Sequence, residues 1–342
     1  MRRCSIVILN WNGAEMLRRY LPSVVRYCPS DCEVVVADNG STDESLEILR
    51  QEFSGVRLIT LPENYGFAEG YNKALEYIES EYVVLLNSDV EVTEGWLSPL
   101  LDYLASHADV AAVQPKIRAW YDKTLFEHAG AAGGFIDRLG YPYCRGRIMS
   151  ELEQDHGQYD TPTDIFWATG ACFVTRTALY KEVGGLDADF FAHMEEIDLC
   201  WRLHSRGYRI MCLPSSVVYH LGGGALPYES PRKTYLNFRN SLFLLYKNTS
   251  TARLMCLMPL RCLLDYTAAL QFFVKGECQN ARAVVSARRD YHHMRTQMRA
   301  KRRKNMSLTV NKKIAEQRPF SIVLRYFLLR QRRFSELNLK GS

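Results

Sequence analysis

YVVLLNSD, residues 82–89, decides how the rest of the chain is read. Tyr82 to Leu86 are uncharged and rich in β-branched and aromatic side chains, the composition of a buried strand. The run then stops at Asn87, Ser88 and Asp89. A buried strand that ends on a carboxylate places that charge at a sheet edge, where open α/β sheets bind ligands. EVVVAD, residues 33–38, repeats the pattern and ends in Asp38 before an Asn39-Gly40 turn. Two such strands in one sheet bring two carboxylates to one crevice, an arrangement suited to a nucleotide and a divalent cation.

Outward from these strands, the first hundred residues alternate as βαβ units. SIVILN (5–10) reads as a strand and Met16 to Val25 as a helix. Ser41-Thr42-Asp43-Glu44 is a capping-box pattern opening the helix SLEILRQEF. VRLITLP reads as a strand, ENYGFAEGYNKALEYI as a loop entering a helix, SPLLDYLASH as a helix and VAAVQPKI as a strand. Residues 118–165, rich in Gly, Tyr and Asp, read as loop with a hairpin around Gly133-Gly134 covering the sheet end. FWATGACFVTR (166–176) alternates like a strand. EIDLCWRLHSRG reads as an amphipathic helix with Ile197, Cys200, Trp201 and His204 on one face, closed by Gly207.

With 342 residues, 47% of them hydrophobic, the chain has core for one large domain with an appendage or for two modest domains. The net charge of +5 conceals a division. Residues 1–230 hold 19 Lys+Arg against 33 Asp+Glu, a balance of −14, whereas residues 231–342 hold 24 against 5, a balance of +19. A basic tail of this kind meets an anionic surface, either a membrane leaflet or nucleic acid. Its leucines and aromatics suit lipid better than bases, so no nucleic-acid partner is expected. LMCLMPLRCLLDYTAALQFFV (254–274) approaches the length of a membrane span, but Pro259, Arg261 and Asp265 interrupt it. The expectation is a helix hairpin lying in the interface or packed on the rest of the protein, with KRRK (301–304) and QRR (331–333) as its cationic face. Ten cysteines without a CxxC pair, Cys172, Cys200 and Cys212 among them inside apolar runs, read as buried free thiols in a reducing cytosol. MRRCSIVILNWNG lacks the cleavage site of a secretory signal and reads as a first strand, which places the protein inside the cell.

Several polar residues can carry chemistry. Asp38 can accept the imide N–H of uracil or thymine, or can simply start the Asn39-Gly40 bend. Asp89 can hold Mg²⁺ or Mn²⁺ on a pyrophosphate, with Ser88 small enough to admit a phosphate; the alternative is a solvated turn. Glu195, Glu196 and Asp198 open a helix that ends in Arg202 and Arg206, which complements the helix dipole. Phe190 and Phe191 set an apolar wall beside them, and the positive helix end would keep one carboxylate ionised as a general base; the alternative is a solvated helix cap. His220, at the end of SSVVYH, reads either as a metal ligand beside a mobile Gly222-Gly223-Gly224 flap or as a hydrogen-bonded histidine near a flexible loop. Arg239 and Asn240 either reach a pyrophosphate or stay solvated.

The ordered set SIVILNWN, VVVADNGSTD, ENYGFAEGYN, LLNSD, WATGA, GGLDADFF, EEIDLCWR and VYHLGGG, within residues 4–245, resembles bacterial family 2 glycosyltransferases. It is most similar to the rhamnosyltransferase-like branch that builds O-antigen and capsular glycans. The resemblance implies an α/β GT-A domain over residues 1–230, followed by a basic, membrane-associating helical region over 231–342. It also implies inverting transfer from a UDP- or dTDP-sugar, dTDP-rhamnose among them, to a glycan or lipid-linked acceptor at the inner face of the membrane. By position it makes Asp38 the base reader, with Asn10, Asn12, Asn64, Asn87 and Ser88 around the nucleotide. Asp89 becomes the last acid of the D-x-D metal motif, with His220 as a further ligand of Mg²⁺ or Mn²⁺. Glu195-Glu196 takes the place of a Glu-Asp pair whose second member is the usual base. Trp167, Gly170, Ala171 and Asp198 fall in the sugar or acceptor pocket, and Arg239 on the phosphates. Asn87 replaces the first acid of D-x-D, and Glu196 is one methylene longer than the usual Asp, which leaves the base between Glu195 and Glu196. No Q-x-x-R-W motif is present, so the similarity is to enzymes that add one sugar per encounter. Two rivals remain: a sugar-phosphate nucleotidyltransferase, although WNGAEMLRR has one glycine where a Gly-rich loop is expected, and a non-catalytic GT-A-like glycan or membrane binder.

Overall fold

The computed structural model describes residues 2–222 and 230–337; Gly223 and Gly224 of the flap reading lie outside them. The first half alternates as expected: β1 (Cys4–Asn10), α1 (Ala14–Arg26), β2 (Cys32–Asn39), α2 (Ser45–Gln51), β3 (Arg57–Leu61), α3 (Gly66–Glu76) and β4 (Tyr82–Asn87). Next come β5 (Val90–Val92), α4 (Ser98–Ser106) and β6 (Val110–Ala119). β1 pairs in parallel with β2 on one side and β4 on the other, and β2 with β3. Alternation splits the apolar residues between two layers. Val7, Val35, Val83 and Leu85 pack with Ala68 and Tyr71 of α3, while Ile6, Ile8, Val34, Val36, Val84 and Leu86 pack with α1 and α4.

The middle of the chain is more ordered than its composition suggested. β7 (Gly134–Asp137), β8 (Pro142–Cys144), β9 (Arg147–Ile148) and β10 (Glu151–Leu152) form a small antiparallel sheet. Its first hairpin turns at residues 138–141, not at Gly133-Gly134, because Gly134 is already paired with Cys144. β11 (Thr163–Asp164) and β12 (Cys172–Arg176) return to the main sheet, whose order is β11-β13-β6-β12-β4-β1-β2-β3, with β5 on β13. The alternation read across 166–176 is therefore strand only from Cys172. α5 (Thr177–Glu182) precedes α6 (Glu195–Ser205) and β13 (Arg209–His220). α6 is not amphipathic in place: Ile197 to Ser205 are all buried, because α7 covers the side expected to face water. The capping box also fails to form. α2 starts at Ser45 with no side-chain cap, since Ser41 Oγ is taken up by Asn12 and Asn10.

The C-terminal third consists of α7 (Pro231–Asn248), α8 (Thr251–Val274), α9 (Cys278–Met294), α10 (Met298–Ser307), β14 (Gln317–Arg318) and α11 (Ile322–Phe327). α8 is one continuous helix, not a hairpin. β14 joins β7 as a parallel edge strand, which ties this region into the small sheet. Arg261 and Asp265 of α8 are fully buried: Asp265 Oδ2 accepts from Arg288 Nη1 of α9 at 2.5 Å, and Arg261 Nη1 donates to Leu139 O at 2.9 Å. All ten cysteines are free thiols. Removing Asp265 leaves two buried guanidiniums without their carboxylate. Asp265→Ala is expected to lower unfolding stability by about 3–5 kcal/mol. Urea denaturation checks it, and a change below about 1 kcal/mol would show that the arginines have other sufficient partners.

Candidate active site

Parallel register brings the strand ends level: Asn10 sits opposite Asp38, and Asn87 opposite Leu9. Asp38 is fully buried and starts the bend that follows β2. Its Oδ2 accepts the Ser41 N–H at 2.9 Å, closing the bend, and its Oδ1 accepts from Asn10 Nδ2 at 3.2 Å along the sheet edge. Asn12, with a positive φ of 48°, accepts the Thr42 N–H at 2.8 Å. Asn64 Oδ1 accepts from Gly66 N at 2.8 Å and from Asn39 Nδ2 at 3.1 Å. Asn39 was missed in the sequence because it looked like turn chemistry. A Cβ on Gly13 would lie 2.4 Å from Asn10 Oδ1, so only glycine fits beside that oxygen. Asn10 Oδ1 is buried and has no hydrogen-bond partner.

Beyond β4 the chain turns through Ser88 and Asp89 into β5, which lies against β13 so that His220 pairs with Val90. His220 Nε2 is 3.1 Å from Asp89 Oδ1 and 3.4 Å from Asn87 Nδ2, and Nδ1 is 3.4 Å from Glu127 Oε1. Burial disfavours the imidazolium, but Asp89 and Glu127 outweigh it and push His220 up to about 10. Burial likewise opposes ionisation of Asp89 and Glu127, yet His220 holds both below the usual carboxylate range. The 3.1 Å contact between Asp89 and His220 is a hydrogen bond between two side chains that each could also serve as a metal ligand. A carboxylate on the far imidazole nitrogen is the usual support for a metal-bound histidine. The donor set therefore fits a hard divalent cation that completes its shell with water or phosphate oxygens. Among the described residues, no group of three or more His, Cys, Asp or Glu is placed to hold a metal ion. Glu127, between strands in the poorly periodic region, carried no sequence signal.

The loop before α6 supplies the opposite side. Phe191, His193 and Met194 all have positive φ, at 65°, 69° and 74°, a strained backbone that needs outside support. Asn240 provides it: Nδ2 donates to Phe190 O, Ala192 O and His193 O at 2.9, 2.8 and 2.8 Å. Arg239 Nη2 donates to Phe190 O at 3.0 Å and to Asn240 Oδ1 at 2.8 Å. The loop seats on α3, where Phe67 N donates to Phe191 O at 3.2 Å. Glu195 and Glu196 follow, and burial raises both, Glu195 well above the usual range and Glu196 to about 7. One oxygen of each, Oε2, is buried without a partner, as is His193 Nε2. The Lys233 ammonium of α7 helps to lower His193, whose burial already does so, and is itself favoured by Glu127.

Residues 5–184 match the family model described as glycosyl transferase family 2. The chain belongs to that family. It is thus a glycosyltransferase, which removes the nucleotidyltransferase reading. It is 26% identical over 230 residues to the N-acetylglucosaminyl-diphospho-decaprenol L-rhamnosyltransferase of Mycobacterium tuberculosis, covering 63% of this chain and 75% of that one. Among solved structures, it resembles S. aureus TarS 1–349 in complex with UDP-GlcNAc, with TM-score 0.57 and 15% identity over 90% of this chain and 89% of that one. It also resembles the mannosyltransferase PcManGT of Pyrobaculum calidifontis in complex with GDP-Man and Mn²⁺, with TM-score 0.52 and 16% identity over 91% and 88%. These likenesses identify the GT-A fold.

Within the glycosyltransferase, three residues assigned to ligand contact have structural partners instead. Arg239 donates to loop carbonyls and to Asn240, so its guanidinium is committed beneath the loop rather than offered to a phosphate. Asp198 is fully buried, bonded to Arg202 Nε at 2.9 Å, Lys247 Nζ at 2.8 Å and Asn248 Nδ2 at 2.8 Å, and so anchors α6. Trp167 lies flat on Gly134 and donates Nε1–H to Phe135 O at 3.0 Å, joining the two sheets. Ala171 and Gly170 do lie between the two sides: Ala171 O accepts the Asn87 N–H at 3.0 Å, and Gly170 faces the ring of Phe67. Ala168 N, in the same segment, donates to Cys200 Sγ on α6 at 3.4 Å. The Asn240 clamp is open to test. In Asn240→Ala, amide hydrogen exchange over residues 189–195 should rise by about tenfold or more, since each lost hydrogen bond is worth about 1 kcal/mol. Exchange in β1, β2 and β4 should not change. Unaltered protection of the loop would refute the clamp.

Proposed function

We propose that this glycosyltransferase transfers a sugar with inversion from a UDP- or dTDP-sugar, dTDP-rhamnose among the candidates, to a lipid-linked glycan acceptor. The observations that support the reading are buried polar atoms lacking partners at the end of β1 and the start of α6 (Asn10 Oδ1, Glu195 Oε2 and Glu196 Oε2) together with the Asp89–His220–Glu127 cluster. Unpaired buried polar atoms are rare in folded proteins and mark places where a ligand completes the bonding. Asp38 and Asn10 read the base, with Asn12, Asn64, Asn87 and Ser88 around the nucleotide. Asp89 and His220, supported by Glu127, would hold Mg²⁺ or Mn²⁺, which would supply positive charge to the diphosphate leaving group. The mycobacterial relative's name favours a lipid-linked acceptor and rhamnose as the sugar. In this reading residues 1–230 carry the chemistry, and residues 231–342 brace the base loop and bring the enzyme to the inner face of the membrane.

Glu196 is the base. The acceptor hydroxyl gives its proton to Glu196 as its oxygen attacks the anomeric carbon, and the bond to the diphosphate breaks on the opposite face. Glu195, raised further by burial and by the neighbouring charge, stays protonated and leaves Glu196 as the group that ionises. Asp89→Ala and Glu196→Gln should each lower sugar transfer by about 10²–10⁴ without loss of fold. Near-normal turnover in Glu196→Gln would move the role to Glu195.

The pH profile follows from the same burial. A base works ionised, and Glu196 is raised to about 7. The rate should therefore climb as pH rises through about 7 and level off above it, and Glu196→Gln should lack that limb. A wild-type rate constant between pH 6 and 8 would contradict the assignment. Chelation should abolish transfer and added Mn²⁺ restore it. Nucleotide binding in a thermal-shift series, with and without Mn²⁺, identifies the base independently of turnover.

A further inference from the structure

α8 is built inside out. Its charged residues Arg261 and Asp265 point into the protein with Leu257 and Ala269, at i, i+4, i+8 and i+12 along one stripe. The opposite face carries Met255, Leu260, Leu263, Leu270, Phe273 and Val274, all exposed, Leu263 at 65% and Val274 at 78%. In a 24-residue helix about 36 Å long, the only exposed charged residue is Arg253, near its start. Beside it, α11 and the residues after it expose Leu324, Phe327, Leu328 and Leu329. Both elements border the turn at 137–140: Leu139 O accepts from Arg261 of α8, and Asp137 Oδ2 accepts from Ile322 N of α11. Exposed apolar surface of this extent marks an interaction site.

We infer that the outward face of α8, continued by α11, lies in the headgroup region of an anionic lipid leaflet with its leucines and phenylalanines in the acyl boundary. Charge selects lipid over another apolar partner. Lys275 ends α8, Lys312 and Lys313 precede β14, and Arg330, Arg332 and Arg333 follow α11, all exposed, within a region of 24 Lys+Arg against 5 Asp+Glu. Apolar side chains flanked by cations is the pattern of an interfacial helix, and each cation near an anionic surface adds to the attraction. By length and composition α8 is also long and apolar enough to cross a membrane. Its inward stripe, however, is held by Arg288 and Ser241 of the neighbouring helices, so the helix meets lipid with one face only. Tyr266, about half exposed on the same outward side, suits the level of the headgroups.

The test needs neither sugar nor acceptor, so it stands or falls apart from the donor assignment. The purified full chain is sedimented with vesicles of phosphatidylcholine alone, or with 30% phosphatidylglycerol as an order-of-magnitude anionic content (about that of a bacterial leaflet), at ~0.1 M and ~0.5 M salt. Wild type should bind the anionic vesicles at least about tenfold more tightly than the neutral ones and lose most of that preference in the higher salt. The triple substitution Leu263→Glu, Leu270→Glu, Phe273→Glu, all at exposed positions, should reduce binding by at least about tenfold with the melting temperature unchanged. Equal binding by the variant, or no preference for anionic vesicles in wild type, overturns the proposal. Concentration-dependent self-association of wild type that the variant abolishes, without vesicle binding, also overturns it and assigns the face to a second copy of the chain.

Discussion

Parallel pairing of β1 with both β2 and β4 is the constraint on which the site rests. The three strands carry apolar residues on both faces, so each is sandwiched between helices and cannot shift by one residue without exchanging its two packed layers. That fixed register makes Asn10 and Asp38 neighbours and ends β4 one step away at Asn87. Polar side chains that would be costly inside a sheet are tolerated at its end because they bond one another and the turns that follow. The β4–β5 turn then needs to move the chain only two residues to bring Asp89 beside His220, which arrives from the far side of the sheet on β13.

The charge division of the sequence acquires a second meaning in three dimensions. Part of the positive charge of the C-terminal third points inward, toward the acidic first two thirds of the chain. Lys247 sits between Asp187 and Asp198, Lys301 bonds Asp187 and Asp189, and Arg239 caps the carbonyls of the strained loop. These contacts bracket Glu195 and Glu196 on both sides in sequence. Asp198 is held down to about 2 by Lys247 and Arg202 against its burial, while Glu195 and Glu196, one turn away and without such partners, are raised. Carboxylates on one helix are thus driven apart by which of them meets a cation, one held ionised as an anchor and the others raised toward neutral pH.

Strands and helices with a clear period were legible, because an apolar run of five or six residues bounded by turn residues has few other places to go. The candidate site was legible where a polar residue closes such a run, as Asp38, Asp89 and His220 do. It was illegible where the side chain's partner comes from far along the chain. Nothing near Arg239 or Asn240 announces the loop at 190–193 that they hold, and nothing near Glu127 announces His220. Trp167 and Asp198 look like pocket residues in a line of sequence, yet Trp167 spends its indole N–H on Phe135 and Asp198 its carboxylate on Lys247. Small sheets such as β7 to β10 are built from strands of two to four residues, too short for alternation to register.

The buried Arg261–Asp265–Arg288 cluster explains which face of α8 turns inward. Both faces carry enough leucine to pack on α7 and α9, so apolar burial alone distinguishes them weakly. Rotating the helix by half a turn would send the two charges of α8 outward and leave Arg288 of α9 buried without its carboxylate, a loss larger than the difference between two leucine-rich stripes. A buried ion pair adds little net stability over well-packed apolar residues, but it discriminates strongly between orientations. The price of that discrimination is an apolar stripe left in water, and a helix so arranged is at lower free energy where water is absent from that side. The same cluster that orients α8 therefore creates its exposed apolar face.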